Sequence, residues 1–109
     1  MKSTSDLITE VGREVVMLLI EKNKAYGDTA NHPPQIFSKL SAKEGILARI
    51  DDKLSRIKKL GFEHPMKSED TLKDLIGYLI LLKVQILKEE EVIKARLIKL
   101  KNEKLKEYK

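Results

Sequence analysis

The sequence predicts an all-α fold, a small bundle of three to four main helices that ends in a long basic C-terminal helix. Three observations carry that expectation. Apolar residues recur at three- and four-residue spacing through three long stretches of chain. Capping residues stand where those stretches begin. The composition of the 109 residues, 41% apolar and 36% charged with two Phe and three Tyr, suits helices with long solvated faces better than a β-sandwich.

The first helix is expected from about Asp6 to Ala25, where Leu7, Val11, Val15 and Leu18, with Ile8 and Leu19, form a broad apolar face. Ser3, with Asp6 three residues on, can cap its start, and Gly27 offers the left-handed conformation that ends helices. Residues 27 to 40 read as a loop, because His32-Pro33-Pro34 cannot continue a helix. Ile36 and Phe37 are expected to tuck beneath the bundle and pin that loop.

Ser41 and Glu44 form a capping box that opens the second helix, which runs to about Lys59 with Ile46, Ile50, Leu54 and Ile57 as its inner stripe. Gly61, His64 and Pro65 make the next turn. Ser68 is the expected N-cap of the third helix, with Glu69 and Asp70 in a first turn whose dipole favours acids. Leu72 to Leu87 is apolar nearly all round, which predicts the central and most buried helix. No Pro or Gly follows Gly77 to stop it. It either runs on or breaks near Glu89-Glu90-Glu91 into an amphipathic stretch carrying Val92 or Ile93, Leu97, Leu100 and Leu105. An unbroken helix over 69–108 would be roughly 60 Å long, more than a domain of this size spans, so the tail either folds back or packs on another subunit. The expected organisation is a single domain over 1–109, with a core over about 5–88 and a C-terminal helix over about 89–108 as an oligomerisation element.

The absence of Cys excludes disulfides and thiolate metal sites and suits a reducing cytoplasm. The N-terminal residues lack the build of a signal peptide, and the longest apolar run, Leu79 to Leu82, is far too short for a bilayer. A cytoplasmic protein without a membrane partner is expected. The formal charge of +5 is concentrated late in the chain. Nine Lys/Arg stand against five Glu between Lys83 and Lys109. A basic tail is weaker ground for nucleic-acid binding than a uniformly basic surface, since alternating Lys and Glu is also an ordinary solvated helix face.

Charged lines border the apolar faces. On the third helix Asp70, Asp74 and Tyr78 stack along one line, with Thr71 and Gln85 beside it. An ionised Asp74 among leucines is costly unless it is paired, hydrogen-bonded or bound to metal. The second helix offers Arg49, Lys53 and Arg56 along one face, and the first offers Glu10, Glu14 and Glu21. Two readings stand at this point: an ion-pair lattice between helices, or an anion or metal–phosphate site in which carboxylates hold Mg²⁺ and cations take phosphate oxygens. Spacing alone does not choose between them. His32 and His64 lie in Pro-containing loops and read as surface residues. No Ser-His-Asp arrangement, phosphate loop or dinucleotide fingerprint is present.

The strings Lys22-Asn23-Lys24-Ala25-Tyr26-Gly27-Asp28, Arg49-Ile50-Asp51-Asp52-Lys53-Leu54-Ser55-Arg56 and Glu69-Asp70-Thr71-Leu72-Lys73-Asp74-Leu75-Ile76-Gly77-Tyr78 occur in this order. Together they resemble the nucleotide modification associated domain family, which is common in phages and is similar to the MazG-like all-α nucleotide pyrophosphohydrolases. The resemblance covers roughly residues 10 to 85, and its third string is the most specific. It implies a helical bundle that assembles as a dimer or higher oligomer and holds a nucleotide between helices. In the hydrolases an E-x-x-E helix and a later E-x-x-D helix bind Mg²⁺. Here the later motif is altered to Asp70 and Asp74 with Thr71 between, and Asp51-Asp52-Lys53 replaces the earlier one. A lysine in that place favours phosphate over a divalent ion.

The expected ligand-binding residues are therefore Tyr26, Arg49, Asp52, Lys53, Arg56, Thr71 and Tyr78. Asp70, Asp74 and Glu21 are the candidates for one Mg²⁺, and no catalytic residue is assigned. Three functions follow. The first is a phage-type protein that binds or sequesters a modified or signalling nucleotide in the cytoplasm of an infected host cell. The second is a Mg²⁺-dependent nucleotide pyrophosphohydrolase. The third is a basic helical protein that acts on nucleic acid or a partner through its C-terminal helix.

Overall fold

Two of the three helices begin as their sequences dictate. In the computed structural model, which describes residues 1–36, 38–62 and 70–107, α1 spans Thr4–Tyr26, α2 spans Ala42–Leu60 and α3 spans Thr71–Glu107. Ser3 Oγ accepts from the Asp6 amide at 3.1 Å while Asp6 Oδ2 accepts from the Ser3 amide at 3.2 Å. The same reciprocal pair closes α2, with Glu44 N to Ser41 Oγ at 3.2 Å and Ser41 N to Glu44 Oε1 at 3.4 Å. Each box satisfies donors that the first turn leaves without an intrahelical acceptor. Gly27 ends α1 at φ +65°, and its amide donates to Asn23 O.

At α3 the cap is Asp70, whose Oδ1 accepts from the Lys73 amide at 2.9 Å. The expectations placed on Ser68, Glu69, His64, Pro65 and Phe37 lie outside the described residues. The helix then runs unbroken for 37 residues, through Glu89-Glu90-Glu91 and without folding back. That makes it roughly 55 Å long. It is the spine of a molecule whose longest dimension is 67 Å.

The loop after α1 is held differently from expectation. Ile36 is exposed, not tucked under the bundle. The anchors are polar: Asn31 Nδ2 donates to Gln85 Oε1 at 2.8 Å with Asn31 buried, and Lys88 Nζ lies 3.4 Å from Asp28 Oδ2. The loop crosses α3 where that helix presents Gln85 and Lys88, so an amide and an ammonium partner are available there.

α2 packs along the first half of α3. Ile46, Ile50 and Leu75 are buried together, with Ile57, Tyr78, Leu81 and Leu82 partly buried against them. α1 leans on the same stretch of α3 through Val15, which is buried, and Leu19. Gly77 permits that approach, since a Cβ there would stand 3.3 Å from Leu19 Cδ2. α3 is the central helix, in contact with both others, but its burial is confined to its first turns. Its buried residues are Thr71, Leu75 and Gly77, while Leu72, Leu79 and Leu87 are exposed and so is every described residue from 90 to 107. Two shorter helices do not surround a third this long.

The surface reflects this. The solvent-accessible area is 9311 Å², whereas a compact monomer of 12.5 kDa exposes about 6,200 Å². The radius of gyration is 19.1 Å, against about 13 Å for a compact domain of this length. Among the described residues no helix is long and apolar enough to cross a membrane.

Candidate functional site

α1 and α2 each pack on α3 and not closely on one another. The gap between them is a cleft of about 640 Å³. Its floor is apolar, built from Val15, Leu19, Ile46, Gly77 and Leu81, and Pro33 and Pro34 of the loop form one wall. The polar lining comes from Lys22, Asn23 and Tyr26 on α1, Arg49 on α2, and Lys73, Asp74 and Tyr78 on α3.

Of the residues expected from sequence, the cleft brings together Tyr26, Arg49, Asp74 and Tyr78. Arg49 ties α2 to α3: its Nη1 lies 3.5 Å from the Tyr78 hydroxyl, and its guanidinium stands 5.9 Å from the centre of that ring. The contact orients both side chains at the cleft edge by combining a hydrogen bond with attraction to the ring face. Tyr26 is exposed at the end of α1.

The other expected residues do not line the cleft, and most have identifiable alternative work. Lys53 pairs with Asp74 at 3.2 Å; their side chains are only 11% and 29% exposed. The costly Asp74 carboxylate therefore has the partner on α2 that its position required. Asp52 and Arg56 pair with each other at 3.2 Å on the outer face of α2. Asp70 caps α3. Thr71 is buried, and its hydroxyl has no hydrogen-bond partner among the described residues. Glu21 is exposed and lies away from the lining. Glu14, on the same line of α1, meets Lys73 at 3.2 Å.

These engagements bear on Mg²⁺. Among the described residues no three acidic or imidazole side chains converge on one point. Asp70 accepts a backbone amide, Asp74 accepts from Lys53, and Glu21 is exposed and off the cleft lining. A hard-cation site needs several oxygens around one ion, and no such group of acids forms among the described residues.

Sequence reasoning left out Lys22 and Lys73. A signal for Lys22 existed: it lies four residues after Leu18 and seven after Val15, a cation on the apolar line of α1. Such a lysine stands over the cleft by position alone. With Asp74 engaged by Lys53 and Lys73 by Glu14, Lys22 and Arg49 are lining cations without a carboxylate partner among the described residues. They approach from helices on opposite sides of the gap.

Set against models of protein families, curated proteins and solved structures, the chain gives no match.

Proposed function

We propose that this protein binds a nucleotide in the cleft between α1, α2 and α3, and that it acts as a binding or sequestering protein. Lys22 and Arg49 take phosphate oxygens, and a flat base lies over the apolar floor beside Tyr26 and Tyr78. The observation that carries this reading is a pair of cleft-lining cations, Lys22 on α1 and Arg49 on α2, without a carboxylate partner among the described residues and with two tyrosines on the same lining. A volume of about 640 Å³ suits a small organic ligand, since such sites usually measure roughly 300–1,000 Å³. The carboxylates that a Mg²⁺-dependent hydrolase would need are engaged elsewhere, which favours binding over pyrophosphate cleavage. The family resemblance adds a phage-type protein working in the cytoplasm of an infected cell.

The uncovered apolar surface supports a homo-oligomer. Ile93, Leu97 and Leu100 follow one face of the projecting part of α3 and are all more than half exposed. The excess of about 3,000 Å² over a compact monomer is of the size that obligate assemblies bury. The same segment, with its surplus of Lys and Arg, supports a second reading, an acidic or nucleic-acid partner held by the tail.

A thermal-shift screen tests the first reading. Nucleoside mono-, di- and triphosphates, deoxy forms and cyclic dinucleotides are each added near a millimolar, with and without Mg²⁺. A ligand that binds the native state raises the melting temperature by mass action. A flat screen removes the nucleotide site and leaves the tail as the place to look.

A further inference from the structure

The cleft carries a charge count as well as a shape. Four of the nearby cations are already matched by acids: Lys53 by Asp74, Lys73 by Glu14, Arg56 by Asp52 and Lys88 by Asp28. Lys22 and Arg49 are left facing the cleft without a carboxylate. Asp74 also lines it, with its charge matched by Lys53, and so offers an anion no attraction. A phosphate monoester carries about −1.5 to −2 at neutral pH, which two cations neutralise. Each added phosphoryl group brings further negative charge, for which the described residues of the lining offer neither another uncompensated cation nor a set of carboxylates able to hold Mg²⁺.

Resting on the nucleotide reading above, we infer that the ligand is a nucleoside monophosphate bound without a divalent cation, its single phosphoryl group bridging Lys22 of α1 and Arg49 of α2. That bridge joins the two helices that α3 otherwise holds apart. α1 has Val15 as its buried residue, so tying it to α2 through the ligand should steady a helix that packs lightly in the empty protein.

The experiment is calorimetric titration of the intact chain with the nucleoside, mono-, di- and triphosphate of each common base, in EDTA and again with Mg²⁺. Hydrogen exchange is followed on the same samples. For the base that binds, the monophosphate should match or exceed the triphosphate in affinity, and the nucleoside should be weaker by roughly thirtyfold or more, the loss of two charged hydrogen bonds. Mg²⁺ should change the affinity by less than about twofold. Lys22→Ala and Arg49→Ala should each weaken the monophosphate by about tenfold. Both residues are on the cleft lining, and Lys22→Arg should restore binding. Amide protection should rise over α1 when the monophosphate is added. A triphosphate that binds tenfold tighter, a requirement for Mg²⁺, or unchanged exchange in α1 overturns this inference while the nucleotide reading stands. No binding by any member of the panel overturns both.

Discussion

The two halves of α3 both carry large aliphatic residues, but the first is mostly apolar and the second mostly charged, and they live in different surroundings. In the first half Leu75 is buried against Ile46 and Ile50 of α2, and Asp74 is paired with a nearly buried Lys53. In the second half Ile93 and Leu97 are as apolar as Leu75 yet more than half exposed, and the charges around them meet solvent. The difference teaches that an aliphatic residue on the spine is buried only where α1 and α2 cover it, and they cover the half that is richer in apolar residues. It also locates the cleft, which forms only where two helices flank a third.

That contrast can be broken most forcefully in the core. Ile46→Ala should lower unfolding free energy by about 2–5 kcal/mol in a denaturant titration, as expected for removing a buried aliphatic side chain. Ile93→Ala should change it by less than about 0.5 kcal/mol at protein concentrations low enough to keep the chain monomeric. Equal losses would mean that the distal half is covered within one chain after all. Leu97→Asp sharpens the same point: sedimentation should show a smaller assembly than wild type, and an unchanged mass would remove the distal stripe as a subunit contact.

Charge follows apolar burial in size. Asp74→Ala removes a carboxylate from Lys53, whose side chain is 11% exposed, and should cost about 1–3 kcal/mol. Asp52→Ala, on an exposed pair, should cost less than about 1 kcal/mol. Melting curves of the two variants side by side decide it, and equal shifts would contradict the difference in environment. Capping adds an effect of intermediate size: Ser41→Ala removes one cap from α2 and should cost about 1 kcal/mol by denaturant titration; no measurable change would mean that packing on α3 alone sets where α2 begins.

What was legible in the sequence was local. The capping boxes of Ser3 and Ser41 and the stop at Gly27 depend on residues three or four apart, so periodicity and spacing suffice to find them. The Lys53–Asp74 pair was readable as a need, because a carboxylate among leucines on α3 had to find a cation and α2 offered one. The cleft was not readable. Its shape follows from how closely α1 approaches α3 at Gly77, and nothing in a helical pattern gives that crossing. The failed expectation at Ile36 has the same origin: the loop meets α3 at Gln85 and Lys88, and only the tertiary arrangement shows that those partners are polar. Asp70, read as a metal ligand from its line on the helix, sits one residue before the helix starts and is occupied as its cap.

The claim that Lys22 and Arg49 hold a phosphate at the cleft is tested most directly by a paired comparison. The tightest nucleotide from the panel is titrated into wild type, into the double variant Lys22→Ala/Arg49→Ala, and into Lys99→Ala/Lys104→Ala, which removes two cations from the exposed tail. The account predicts saturable binding to wild type and to the tail variant, with binding lost in the cleft variant while its melting temperature without ligand is preserved. Equal binding by all three, or loss in the tail variant alone, would contradict it.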